Sequence, residues 1–197
     1  MKIPSSALLI TLSLFLLPTS HGLDFDFFQT SACTNSLAHV SCVNVPPLVC
    51  CRAGGPWCAY VRGTGLPEGR AMYTYDNAEC AGKYLLSCAG PRPPAYCCAR
   101  VGGGSSGCAA IWLAGGSKKR DDDEHESELS SNCTRHVQPN RMVYTDARGA
   151  RQAIHLPRGT FDRASASLDA GDFDALARYP AWANQTYDDD DGDEVTE

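Results

Sequence analysis

Cysteine is the residue type whose number and spacing point to specific chemistry in this chain. The sequence holds eleven cysteines in 197 residues: Cys33, Cys42, Cys50, Cys51, Cys58, Cys80, Cys88, Cys97, Cys98, Cys108 and Cys133. Zinc sites favour C-x2-C pairs with histidines at set spacing, and no C-x2-C pair occurs; Cys133 and His136 form a lone pair. We therefore predict no metal, no cofactor, and a disulfide framework for the cysteines from Cys33 to Cys108.

These ten cysteines fall into two sets of nearly equal spacing. The first reads C-x8-C-x7-CC-x6-C and the second C-x7-C-x8-CC-x9-C, and Pro-Pro precedes each Cys-Cys doublet. The agreement predicts an internal duplication, with repeats at about 33–58 and 80–108. Adjacent cysteines rarely bond each other, so each doublet should have two different partners. Since each repeat holds an odd number of cysteines, complete pairing requires at least one bridge between the repeats.

Two doublets framed by single cysteines resemble the hydrophobins, small secreted fungal proteins that assemble at air–water interfaces. That resemblance implies the bridges Cys42–Cys97, Cys50–Cys88, Cys51–Cys80 and Cys98–Cys108, with Cys33–Cys58 as an additional pair. The chain also resembles the broader class of fungal small secreted cysteine-rich proteins, which includes effector candidates. The broader resemblance implies export and a high cysteine content, but no particular mechanism.

Patterns that would indicate catalysis lack the context that catalysis needs. Gly102, Gly104 and Gly107 fit G-x-G-x-x-G, but this run lies between two cysteines and predicts a flexible loop. Asp76 and Glu79 are close in sequence, yet a surface turn explains them equally well, and no G-x-S-x-G occurs. The acidic run at 187–194 ends before the bidentate glutamate that a calcium loop requires. We therefore assign no catalytic residue.

The N-terminal segment predicts where the protein is located. Residues 1–22 combine Lys2, an apolar run and small residues before a cut ahead of Leu23, which predicts a signal peptide. The alternative, a membrane anchor, needs about 20 apolar residues, and this run is shorter. We expect a secreted, extracellular protein with no transmembrane segment after signal removal. No concentrated basic face is evident, so we expect no nucleic-acid partner.

The region after Leu113 changes composition. Residues 115–131 form a charged linker in which Lys119-Arg120 is a dibasic site for a kexin-type protease, or else part of a solvated loop. Within the C-terminal region, 132–187, residues 141–156 predict two short strands with a turn near Ala147–Gly149. A brief helix should follow, with Phe173, Leu176 and Ala177 on one face, before an acidic disordered tail at 188–197.

Cys133 is the odd cysteine. It can pair with the first half, join two chains as a dimer, or stay free. Asn132 and Asn184 each begin an N-glycosylation sequon, and Asn184 is expected to be the more accessible of the two. A disulfide at Cys133 would compete with glycan addition at Asn132.

These observations predict a small, disulfide-rich, mostly β and loop fold with a duplicated five-cysteine module at 23–114 and a short ββα element after the linker. The expected function is non-enzymatic binding outside the cell, to a protein or a cell-wall component. Contact residues for that role would be Trp57, Tyr60, Tyr96 and Trp112, whose alternative role is to fill a small core. The alternative functions are a hydrophobin-like surface-active protein and an unrecognised secreted hydrolase.

Overall fold

The structure is a computed structural model that describes residues 22–30, 33, 37–82, 84–89, 96–101, 107–113 and 133–182, with the backbone alone at 86–89 and 96–99. The predicted signal peptide, linker and acidic tail lie outside these residues. The described part is mostly β with short helices and disulfides, as the sequence predicts. It contains no helix long and apolar enough to cross a membrane.

In the described part, eleven strands form two sheets. The first sheet has the order β11-β10-β2-β1-β4-β7 and contains β1 (Leu23–Phe28), β2 (Ala38–Val45), β4 (Tyr60–Thr64), β7 (Tyr96–Arg100), β10 (Arg141–Thr145) and β11 (Arg151–His155). The second has the order β6-β5-β8-β3-β9 and contains β3 (Val49–Ala53), β5 (Ala71–Tyr75), β6 (Leu86–Ala89), β8 (Cys108–Leu113) and β9 (Arg135–Val137). All of these pairings are antiparallel except that of β3 with β9.

The main hydrophobic core takes side chains from both sheets. Strand β1 contributes Leu23, Phe25 and Phe27, because alternate residues of a strand share a face. The second sheet contributes Met72 and Trp112, among others. Complete burial of one such side chain stabilises the fold by about 1.5–3 kcal/mol. The intervening residue Asp26 therefore lies on the opposite face of the first sheet.

The first eight strands divide into two sets with corresponding positions. In the first set, three strands lie in the first sheet (β1, β2 and β4) and β3 lies in the second. In the second set, three strands lie in the second sheet (β5, β6 and β8) and β7 lies in the first. The sheet segments β2-β1-β4-β7 and β6-β5-β8-β3 thus have the same order, strand for strand. Strands β3 and β7 each carry one Cys-Cys doublet.

The disulfides follow from the alternation of strand β3. Cys51 faces the core between the sheets, where it is bonded to Cys42, while Cys50 faces outward and is bonded to Cys80. A third bond joins Cys58 to Cys108. Within the first doublet the two sulfurs have different partners, as predicted, and two of these bonds join the two cysteine sets.

The pairing implied by the hydrophobin resemblance is wrong. The bond of Cys42 to Cys51 excludes Cys42–Cys97, and the bond of Cys50 to Cys80 excludes both Cys50–Cys88 and Cys51–Cys80. The bond of Cys58 to Cys108 excludes Cys98–Cys108 and Cys33–Cys58. Cys33 is disulfide-bonded, and Cys133 is a free thiol.

The C-terminal hairpin is where the sequence predicts it. Strands β10 and β11 pair from Arg141↔His155 to Thr145↔Arg151, and β10 also pairs with β2 of the cysteine-rich part. The Asp146 carboxylate accepts hydrogen bonds from the backbone N–H groups of Arg148 and Ala150, both at 2.9 Å, and these bonds fix the turn. The hairpin thus extends the first sheet.

Two helices follow the hairpin. The predicted helix is α2 (Phe173–Leu176), which begins at Asp172, whose side chain accepts from the N–H of Ala175 at 3.0 Å. Leu176 is buried, Phe173 is half-buried and Ala177 is exposed at the end of the helix. Helix α1 (Phe161–Asp169) is an addition to the predicted elements, because its serines and alanines weaken the apolar pattern.

Candidate functional site: a cleft beside the C-terminal hairpin

The aromatic residues expected to contact a partner are mainly internal. Trp57 and Trp112 are 0% and 5% exposed and belong to the hydrophobic core. Tyr60 is half-buried, and the side chain of Tyr96 lies outside the described residues. For the two tryptophans, the core-filling alternative is confirmed.

The two acids considered for hydrolysis lie on the surface. Asp76 and Glu79 are exposed in the turn that follows β5. The Asn77 side chain holds this turn by accepting hydrogen bonds from the backbone N–H groups of Glu79 at 3.1 Å and Ala81 at 3.3 Å. The two acids therefore lie in a surface turn, which is the alternative to a catalytic pair given in the sequence analysis.

Other residues singled out in the sequence lie outside the described residues: Gly102, Gly104, Lys119, Arg120, Asn132 and Asn184.

A buried ionic cluster, here called the anchor cluster, holds the hairpin to the cysteine-rich part. It consists of Asp26, Ser41, Arg62 and Arg141, from four neighbouring strands. One carboxylate oxygen of Asp26 accepts from the Ser41 hydroxyl at 2.6 Å and from Arg141 Nη2 at 3.2 Å. The other accepts from Nε and Nη2 of Arg62 at 3.1 and 3.0 Å. Asp26 is 2% exposed and Arg141 3%.

The charge state of the anchor cluster follows from its surroundings. Burial raises the pKa of Asp26, but nearby positive charge and the Ser41 hydroxyl outweigh it, and the pKa lies below its usual value. Burial lowers the pKa of the adjacent His39 to about 4, although Asp26 opposes this shift. Because His39 is then uncharged at neutral pH, Arg62 and Arg141 keep the Asp26 carboxylate ionised. The cluster positions β10, and with it the hairpin.

The hairpin and α2 enclose a cleft of about 420 Å³, here called the hairpin cleft. Its aromatic wall consists of Tyr144, Phe173 and Tyr179, and its polar groups are Asp146, Arg148, Gln152 and Asp174. The rings of Tyr144 and Phe173 are stacked, with centroids 6.0 Å apart and planes at 15°. Pockets of about 300–1,000 Å³ with apolar walls and a few polar groups are typical of small-ligand sites.

The polar side of the cleft has defined charges. The Ala150 backbone N–H, the Gln152 side chain and the Arg148 backbone N–H hold the pKa of Asp146 below its usual value, so this carboxylate is ionised at neutral pH. Gln152 Nε2 donates to Asp146 at 3.0 Å. Burial and the Asp146 charge raise the pKa of Tyr144, so its phenol stays neutral and can donate a hydrogen bond. The cleft therefore offers aromatic rings beside fixed hydrogen-bonding groups.

The sequence patterns do not single out these residues as a site. They assign the hairpin and the helix to local structure only. The sequence signal that could have indicated the site is the concentration of aromatic residues in a short segment outside the cysteine-rich part: Phe173, Tyr179 and Trp182.

Comparisons of the chain with protein-family models, with curated proteins and with solved structures gave no match.

Proposed function

We propose that the chain is a secreted, non-enzymatic binding protein of the kind found among fungal small secreted cysteine-rich proteins, and that its ligand occupies the hairpin cleft. Disulfides persist in oxidising compartments, so the three described bonds support an extracellular location. The apolar leader at 1–22 supports export. The cleft itself is the observation that carries the binding role.

The ligand that fits this chemistry is a short segment of a cell-wall glycan. A sugar ring has C–H groups on its faces and hydroxyl groups on its edges. The rings of Phe173 and Tyr179 suit the faces, while Asp146, Gln152 and Asp174 suit the edges. A protein partner would normally contact about 20–30 residues of this chain, whereas twelve residues line the cleft.

Internal duplication is the proposed origin of the scaffold that carries this site. The repeated cysteine spacing and the matching strand order of β1–β4 and β5–β8 both support it. The hairpin, α1 and α2 have no counterpart within the described parts of the repeats. The binding site is therefore an addition to one sheet of a duplicated framework.

Calorimetric titration of the purified secreted chain with soluble oligosaccharides tests the binding role. The probes are oligomers of chitin, cellulose and β-1,3-glucan. We expect one class to bind, and the variant Phe173→Leu to bind it at least about tenfold more weakly, a loss of about 1.4 kcal/mol. Asp174→Asn should also weaken binding, because it removes a carboxylate acceptor from the rim.

Asp162→Asn is the matched control for Asp174→Asn. Both aspartates are exposed in the first turn of a helix, but Asp162 does not line the cleft. The control should bind as the wild type does. Failure of every oligosaccharide to bind, or equal affinities in all four proteins, would reject the glycan role of the cleft.

A further inference from the structure

A free thiol lies against a disulfide on the outer face of the second sheet. Strand β9 runs parallel to β3 and places His136 opposite Cys50. The Sγ atoms of Cys133 and Cys50 and a ring nitrogen of His136 all lie within 4.8 Å of one another. Cys50 is bonded to Cys80, whereas Cys133 carries no disulfide. A thiol and a disulfide at this separation are the two reactants of thiol–disulfide exchange.

An imidazole is placed to move the proton of this thiol. Nε2 of His136 lies 3.8 Å from Cys133 Sγ and 3.8 Å from a carboxylate oxygen of Glu79. Histidine is the side chain that accepts and returns protons near neutral pH. The Cys133 S–H donates to the carbonyl oxygen of Arg135 at 3.2 Å, which fixes the position of the sulfur.

A buried phenol adds an independent feature of the same cluster. Tyr75 is 0% exposed, and its hydroxyl has no hydrogen-bond partner among the described residues. Burial, then Tyr73 and Cys133, raise the pKa of Tyr75 to about 12, so the phenol remains a donor. A buried donor without an acceptor is costly. Cys133 packs against the cluster of buried residues that contains Tyr75, so a thiolate there would place negative charge near this donor.

The low solvent exposure of the Cys50–Cys80 disulfide and the backbone conformation of Cys80 favour attack by a thiol of the same molecule. Cys50 and Cys80 are 0% and 1% exposed, so thiols in solution reach their bond poorly. Cys133 is only partly buried and contacts this cluster. Cys80 has a φ of 49°, a conformation that side chains other than glycine seldom adopt. Release of Cys80 from the bond would let that residue relax.

We propose that Cys133 and the Cys50–Cys80 disulfide form an internal thiol–disulfide exchange site. His136 takes the Cys133 proton, and the thiolate attacks Sγ of Cys50. The Cys50–Cys133 bond forms as the Cys50–Cys80 bond breaks, and Cys80 leaves as a thiolate that receives the proton from His136. One S–S bond is made and one is broken, so the step needs no oxidant or reductant. Exchange moves the free thiol from Cys133, which precedes β9, to Cys80 in the turn after β5.

Disulfide mapping with thiol labelling tests this site. The wild-type protein is incubated at a series of pH values without added thiol, quenched in acid, unfolded in guanidinium chloride so that buried thiols are accessible, and labelled with a maleimide. Peptides are then sequenced without reduction, with fragmentation between Cys50 and Cys51. We expect two forms, one with the Cys50–Cys80 bond and label on Cys133, the other with the Cys50–Cys133 bond and label on Cys80. The second form should appear faster at higher pH, because the thiolate is the nucleophile.

Variants separate the roles of the three side chains. Cys133→Ser should abolish label on Cys80, while His136→Gln should reach the same two forms more slowly at a given pH. In Cys80→Ser, Cys50 and Cys133 should be joined; in the matched control Cys108→Ser, Cys58 should not be joined to Cys133. Label on Cys133 alone at every time, or a dimer joined through Cys133, would overturn the proposal. Two free thiols in a folded Cys80→Ser protein would do the same.

Discussion

The indole N–H of Trp57 donates a hydrogen bond of 2.6 Å to the hydroxyl of Ser165. Trp57 belongs to the 3-10 helix Gly55–Cys58 of the cysteine-rich part, and Ser165 belongs to α1, more than a hundred residues later. Both side chains are buried. Helix α1 therefore covers part of the core of the cysteine-rich part.

Ser165→Ala should destabilise the protein by about 1–3 kcal/mol, because it leaves a buried indole N–H without an acceptor. Urea unfolding followed by tryptophan fluorescence measures the change. Ser167→Ala, on the same helix but only half-buried, should change the free energy of unfolding by less than about 0.5 kcal/mol. Equal losses in the two variants would show that the hydrogen bond is not the cause.

Stability should fall as the pH drops from 6.5 to about 4, because His39 is buried without charge. Its pKa is about 4 in the folded chain against an ordinary 6.5, so in this window the unfolded chain binds a proton that the folded chain does not. The loss should be about 3 kcal/mol by pH 4. Urea unfolding at several pH values should show this slope in wild type.

The variant His39→Gln should lose most of that slope, while His155→Gln, an exposed histidine of β11, should keep it. Below the ordinary pKa of Asp26 a second decline is expected in all three proteins. The folded-state pKa of Asp26 is lowered, so its stabilising contribution is present above the unfolded value of about 3.8 and is lost as the pH falls through the folded value. An unchanged slope in His39→Gln would contradict this assignment.

The two-set arrangement of strands predicts further disulfides. In the alignment of the two cysteine sets, each cysteine of one set has an equivalent in the other. Replacing both members of a bond by their equivalents turns Cys42–Cys51 into Cys88–Cys98 and Cys50–Cys80 into Cys97–Cys33. The same replacement leaves Cys58–Cys108 unchanged. Mass-spectrometric mapping of the purified protein should therefore find Cys33–Cys97 and Cys88–Cys98. A bond between Cys33 and either Cys88 or Cys98 would break the correspondence.

Cleavage after Arg120 should leave the two parts of the chain associated. Strand β10 pairs with β2, and β9 pairs with β3, so the later strands are held by sheets made from the earlier ones. In the form with the Cys50–Cys80 bond no disulfide joins the parts, because Cys133 is the only cysteine after the cut and it is free. The cut protein should elute as one species on gel filtration. In urea without reductant this form should separate into two fragments, whereas any protein with the exchanged Cys50–Cys133 bond should stay joined until it is reduced. Separation in native buffer would contradict this expectation.

Surface activity of the hydrophobin type is not expected. Among the described residues, the large hydrophobic side chains with high exposure are Leu37 at 78% and Leu85 at 43%, which do not make an extensive apolar patch. The purified protein should leave the surface tension of buffer nearly unchanged. A fall comparable to that caused by a hydrophobin at equal concentration would favour the surface-active alternative.

Local features of the fold can be predicted from the sequence, since they depend on short-range patterns. The hairpin after Arg141 follows from alternating residues around the Asp146–Gly149 turn, and the disulfide framework follows from the cysteine content. Helix α1 is not among the predicted elements, although Phe161, Ala164 and Leu168 have helical spacing, because two serines and two aspartates fill four of the six remaining positions.

Features that depend on contacts between distant residues cannot be predicted in this way. The pairing of Cys51 with Cys42 depends on which face of β3 each sulfur occupies, and the doublet alone does not fix that face. The hairpin cleft needs Tyr144 and Phe173 to meet across a strand and a helix. Cys133 and Cys50 lie far apart in the sequence, and only the parallel pairing of β9 with β3 brings their sulfurs together.

The position of β10 beside β2 also sets an order of events during synthesis. Strands β1–β8 leave the ribosome before Arg141, and until then β2 presents unpaired backbone groups at the edge of its sheet. During that interval the Asp26 carboxylate has Arg62 but not its second arginine. On the proposed secretory route, the disulfides of the cysteine-rich part can therefore begin to form before the strand that completes its first sheet has been synthesised.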